Sequence, residues 1–182
     1  MKRNWPLRIF FLVVFAAMSA FMFYTIYSLS DEDGYTSGYR SQTVTQQLQQ
    51  QVQEHFETTT EGIELKERLQ YFVIMHSPYG SDWNANVRKL AHFSIYFVLA
   101  AMCYITLALL GVGKISRILL TLMICGGYAY FDEIHQSGVW GRAMSETDVM
   151  IDTLGACSSI LLFTLLSILG SMVRGIFGGQ HD

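Results

Sequence analysis

Apolar residues in this chain gather into long runs, with charged and polar residues clustered between them. Residues 7–29 hold one charge, Arg8, near their start. As a helix rising 1.5 Å per residue this run reaches roughly 35 Å, enough for a hydrocarbon core of about 30 Å. A second run covers residues 91–110 and is free of charge after His92; a tight turn follows at residues 111–114. The third run, residues 115–131, is short and carries Arg117 at its start, where a long side chain can reach the headgroups. The fourth, residues 149–169, contains one charge, Asp152. Lipid leaves an unclosed backbone no partner except its own helix, so the expectation is an all-α membrane protein with a bundle of four transmembrane helices.

Between the first two runs lies a polar segment too long for a bare loop. Its start, from Asp31 through Gly34 to Ser41, reads as a turn-rich linker. Val44, Leu48, Val52 and Phe56 then repeat every four residues among good helix formers, and Ile63, Leu65, Leu69, Phe72 and Val73 mark a second amphipathic stretch ending before Pro78. The expectation is a helical cap on the outer mouth of the bundle, or else a hairpin that binds a protein partner through residues 42–76. The division that follows is a signal-anchor helix at 1–29, an extracytoplasmic helical segment at 30–85, a three-helix membrane core at 86–170 and a cytoplasmic tail at 171–182. Ala17 and Ser19 imitate a signal cleavage site, but the run continues apolar through Tyr24, so an uncleaved anchor is expected.

Basic residues set the orientation. Lys2, Arg3, Arg8, Lys114, Arg117 and Arg174 fall on one side if four helices alternate, which places both termini in the cytoplasm. Of 15 acidic residues, only Asp182 shares that side. Composition agrees: hydrophobic residues make up 51% and charged residues 15% of 182, against about 25% charged in a soluble domain. A net charge of −3 provides no basic stripe for nucleic acid. Cys103, Cys125 and Cys157 lie inside apolar runs and read as small buried residues, not as a disulfide framework or metal set.

Ionisable groups in or beside a span are costly and mark function or an internal paired network. Here Arg88, Lys89 and His92 stand where the second helix enters from outside. Asp132, Glu133, His135 and Gln136 stand where the third leaves, Arg142 in the following loop, and Asp148 and Asp152 at the start of the fourth. Arg88 and His92, like Asp148 and Asp152, are four residues apart and share a helix face; Asp132, His135 and Gln136 share one if the third helix gains a turn. Gly155, Ala156 and Ser159 continue the Asp152 stripe in small residues, and Gly126 and Gly127 offer the same on the third helix. Each group also has a structural reading. Ser145 and Asp148 match a capping-box spacing, Arg88 and Lys89 can pair with outer acids, His135 can be solvated, and Asp152 can pair with Arg142 or Arg88. The cluster counts three cations against four carboxylates, which can neutralise one another or use the cations on phosphate or carboxylate.

Lys89, His92, Phe93 and Tyr96, then Asp132, Glu133 and Gln136, then Gly141 and Arg142, then Asp148, Asp152, Gly155 and Ala156 resemble, in that order, the VanZ-like family of membrane proteins. The resemblance covers roughly residues 86–160. It implies a polytopic membrane protein and a family association with teicoplanin resistance, without a settled mechanism. The tract from Ser137 to Trp140 lacks the family's proline before Gly-Arg. Three functions are open. The first is binding of an anionic envelope lipid, wall-precursor headgroup or glycopeptide by Arg88, Lys89, His92, Asp132, Glu133, Gln136, Arg142, Asp148 and Asp152, with no cofactor. The second is hydrolysis or transfer on a polyprenyl phosphate, with Glu133 or Asp132 as base, His92 as proton donor, or a divalent metal held by carboxylates with His92 and His135. The third is a structural lock with an outer hairpin that recruits a partner.

Overall fold

The computed structural model describes residues 5–177, with side chains through residue 173. Lys2, Arg3 and Asp182, used above for orientation, lie outside the described residues, as does the side chain of Arg174. Every element among them is helical: α1 (Trp5–Ser30), α2 (Gly34–Phe56), α3 (Thr60–His76), α4 (Trp83–Leu109), α5 (Lys114–Ser137) and α6 (Glu146–Phe177).

Helix α4 is the hub, packing against α1, α2, α5 and, most extensively, α6; α5 also packs against α1 and α6. Helices α4 and α6 run parallel, because the pairs Arg88–Asp148, His92–Asp152 and Tyr104–Thr164 all keep a separation of 60 residues. Helices α1 and α5 run the opposite way. Arg8 Nε donates to the Leu109 carbonyl at 2.8 Å at one end of the bundle, and Ser30 Oγ donates to the Asp132 carbonyl at 3.4 Å at the other. Arg8 and Arg117 therefore sit at one end, and the acids of α5 and α6 at the other.

Small residues allow the close approach of α4 and α6. A Cβ on Gly155 would stand 2.3 Å from the Phe93 carbonyl oxygen, so only glycine fits that crossing, and Ala156 and Ser159 below it are fully buried. The expectation for Gly126 and Gly127 does not hold: open space faces both. Leu99, Ala100, Cys125 and Ala129 complete a thin core. Around it, residues such as Phe10, Phe21, Leu119, Met123, Met150, Leu161 and Leu165 face outward. In water such a belt would be an aggregation surface; in lipid it is the solvated face, and packing and internal polar bonds hold the helices together. Cys103 is buried as expected, whereas Cys157 is exposed on this belt.

Three helices, α1, α4 and α6, are long and apolar enough to cross a membrane; α5 falls short of the four expected. Its 24 residues suffice for length. Its apolar stretch, however, is closed in by Lys114 and Arg117 at one end and by Asp132 and Glu133 at the other.

The outer segment corrects one reading. Residues 34–41 are the first turns of α2 instead of a linker, because the Asp33 side chain accepts from the Tyr35 and Thr36 amides, both at 2.9 Å. The Thr36 amide and hydroxyl, with the Tyr35 amide, hold the Asp33 carboxyl below its usual range. Gly34 is pressed on the loop before α6, its amide donating to the Trp140 carbonyl at 3.0 Å, and a Cβ there would strike the Gly141 carbonyl oxygen at 2.2 Å. Near its start α2 rests on α4, where Ser41 and Thr45 both donate to Asn84 Oδ1. Helix α3 buries no residue. The segment thus covers the bundle with one helix end and leaves most of a hairpin exposed.

Candidate functional site

At the acidic end, four carboxylates surround one histidine. Two acid–base rungs join α4 to α6. Asp148, only 1% exposed, takes an ion pair from Lys89 and another from Arg88 Nη2 at 3.3 Å. One turn deeper, His92 Nδ1 lies 3.2 Å from Oδ1 of the fully buried Asp152. On α5, Asp132 Oδ2 accepts from Gln136 Nε2 at 2.9 Å. Glu133 Oε2 accepts from the Ser145 amide at 2.8 Å, which ties the start of α6 to α5. Of these four acids, Asp152 is the one within hydrogen-bond distance of His92. Three buried polar atoms here have no partner among the described residues: Glu133 Oε1, Asp152 Oδ2 and the Tyr96 hydroxyl.

Beside these rungs lies a cavity of about 190 Å³, enclosed by α1, α2, α4, α5 and the loop before α6. Its apolar wall is Ile26, Leu29, Val44, Val87, Ala91 and Ile95; its polar wall includes Arg40, Arg88, Arg142, Glu32, His92, Tyr96, Asp132 and Gln136. Arg142 enters it from the loop, with Nη1 donating to the carbonyls of Leu29 at 3.1 Å, Ser30 at 3.2 Å and Glu32 at 3.4 Å. A cation there completes the end of α1, where carbonyls are left over and the helix dipole is negative. Burial draws the Arg142 guanidinium below its usual range and Arg88 adds to this, while Asp132, Glu133 and Glu32 oppose it.

The nine expected site residues therefore gather at one end but divide. Arg88, His92, Asp132, Gln136 and Arg142 line the cavity; Lys89, Glu133, Asp148 and Asp152 do not. Two local readings change. Asp152 pairs with His92, not with Arg142 or Arg88, because the parallel stagger of α4 and α6 sets them level. The capping box is half formed: the Asp148 amide donates to Ser145 Oγ at 3.3 Å, but the Asp148 carboxylate turns to Lys89. Arg142 spends one nitrogen on backbone carbonyls. With α5 continuing to Ser137, His135 stacks on Tyr27 with centroids 4.7 Å apart and lies 3.3 Å from Asp31.

Arg40 and Glu32 were not expected at the site. They form an ion pair and line the cavity because α2 starts early enough to carry Arg40 over it. The Asp33 cap was the available signal. Among the described residues no group of three or more His, Cys, Asp or Glu side chains is placed to hold a metal ion.

The family model described as VanZ/LLP1 matches residues 9–167 of the chain. No curated protein and no solved structure matches it.

Proposed function

The chain belongs to the VanZ/LLP1 family, and on that premise we propose that this membrane protein binds an anionic component of the cell envelope in the cavity at the acidic end of its bundle. One observation carries the proposal: three guanidinium groups, from Arg40, Arg88 and Arg142, against two carboxyl groups, from Glu32 and Asp132, border a cavity whose other wall is apolar. Guanidinium recognises phosphate or carboxylate through paired donors, and an apolar wall beside it suits the first carbons of a lipid tail. The ligand is a phosphate-bearing headgroup of an envelope lipid or wall precursor, or the anionic part of a glycopeptide. A part in teicoplanin resistance would follow from the last of these.

The associated topology has α5 as the fourth span, both termini in the cytoplasm and the cavity in the outer half of the bilayer. The alternating helix directions and the outward apolar residues of α5, such as Leu119 and Met123, support it. Binding is favoured over hydrolysis because three guanidinium groups line the cavity, whereas of the candidate acid–base groups only Asp132 and His92 reach it and Glu133 and Asp152 stand behind its wall. A second reading, recruitment of an envelope protein by residues 42–76, draws on the exposed Leu48, Val52, Leu69 and Phe72.

The test compares wild type with the double variant Arg40→Gln, Arg88→Gln in nanodiscs containing a polyprenyl phosphate, with inorganic phosphate titrated in parallel. The expected result is lipid binding weakened at least about tenfold, since each charge-assisted bond contributes about 1.5–3 kcal/mol. Wild-type binding of the lipid but not of free phosphate assigns the headgroup source. Unchanged lipid affinity in the variant overturns the proposal.

A further inference from the structure

The cavity shares a wall with a buried cluster whose charges do not balance. His92 lines the cavity and reaches back to Asp152. Around it stand Arg88 and Lys89 from α4, Asp132 and Glu133 from α5, Asp148 and Asp152 from α6, and Arg142 from the loop. On the far wall, Arg40 of α2 is neutralised by Glu32. With His92 neutral and every carboxyl ionised, three cations would face four carboxylates. Two of those carboxylates keep an oxygen that is buried and unpartnered among the described residues, Glu133 Oε1 and Asp152 Oδ2, and the Tyr96 hydroxyl beside them is equally unpartnered.

Resting on the binding reading above, we propose that an anion entering this cavity brings a proton with it, taken up by the cluster of His92, Asp152 and Glu133. The reason is electrostatic. An anion bound without a proton would add negative charge next to an excess of buried carboxylate, where low polarisability strengthens repulsion. A proton on imidazole or carboxyl removes that excess, and on Asp152 or Glu133 it also gives an orphaned oxygen a hydrogen to donate. No bond of the ligand is made or broken: one proton leaves solvent and joins the protein. Binding is thereby linked to pH, tight on the acid side and weak on the alkaline side, in the range where an imidazole responds.

The measurement is titration calorimetry of the purified full chain in detergent. The probe is dihexanoyl phosphatidylglycerol, a phosphodiester whose single negative charge does not titrate in the range where histidine does. Repeating the titration in two buffers with different heats of ionisation counts the protons exchanged. The proposal expects uptake approaching one proton per lipid and an affinity falling up to about tenfold per pH unit as pH rises. In His92→Gln and in Glu133→Gln, measured separately so that one unfolded variant does not end the test, uptake should shrink. Equal heats in both buffers, with binding intact at every pH, overturn the proton linkage and leave the binding reading standing. No binding at any pH removes both.

Discussion

The α4–α6 seam and the cavity next to it are built from the same kinds of residue, yet they treat charge differently. On the seam each acid is answered directly: Lys89 and Arg88 close on Asp148, and His92 on Asp152, with side chains that are fully or nearly buried on the acid side. In the cavity the cations are answered only in part: Arg142 commits one nitrogen to backbone carbonyls, Arg40 pairs with Glu32, and Arg88, though paired with Asp148, remains 47% exposed. A buried pair that is complete holds helices in register, because removing either partner leaves an uncompensated charge. A cation with room beside it can still take a ligand. The difference lies in geometry and not in residue type, which is why one cluster serves both as lock and as pocket.

The largest effect should come from the seam. Asp148→Asn leaves Lys89 beside a neutral amide and should cost about 3–5 kcal/mol, read as a lower unfolding midpoint in mixed micelles. Gly155→Val, which drives a side chain into the Phe93 backbone, should cost about 1–3 kcal/mol by the same assay. If either variant kept wild-type stability, the seam would not be the lock. Arg142→Gln stands between the two regions: losing its carbonyl bonds at the end of α1 should cost about 1.5–3 kcal/mol and also weaken binding. In the cavity, Arg88→Gln should change stability by less than about 1 kcal/mol, since its pair is half exposed, while reducing phosphate-lipid affinity. Equal losses of stability from Arg88→Gln and Asp148→Asn would erase the distinction. The smallest effect is at α2. The Thr36 amide and hydroxyl, with the Tyr35 amide, hold the Asp33 carboxyl below its ordinary value of 3.8, so its contribution is full above 3.8 and is lost as pH falls through the lowered native value. Asp33→Ala should therefore remove a small acid-side loss of helix signal in circular dichroism.

Helix identity and the outer helices were legible because apolar runs and four-residue spacings are local properties of a helix, and the gathering of Arg88, His92, Asp132, Arg142 and Asp152 at one end followed from successive helices alternating in direction. Partner choice was not. That Asp152 meets His92 depends on the stagger between two helices 60 residues apart in sequence, which no local spacing encodes. The burial of one Arg142 nitrogen in the α1 carbonyls depends on where α1 stops, and the place of Arg40 on where α2 starts. Gly and Ser in residues 34–41 pointed to a linker, but a single capping carboxylate and the contact with Gly141 outweigh their weak helix preference. The short apolar stretch of α5 likewise shows how a helix in contact with α1, α4 and α6 can carry fewer apolar residues than its neighbours.

Native mass spectrometry of the protein extracted with its own lipids tests the central claim most directly. The account predicts a phosphate-bearing lipid retained on the wild-type chain and lost from the Arg40→Gln, Arg88→Gln variant. Retention of that lipid on the variant, or a wild-type chain that keeps no anionic lipid or glycopeptide under conditions that preserve its fold, would contradict it.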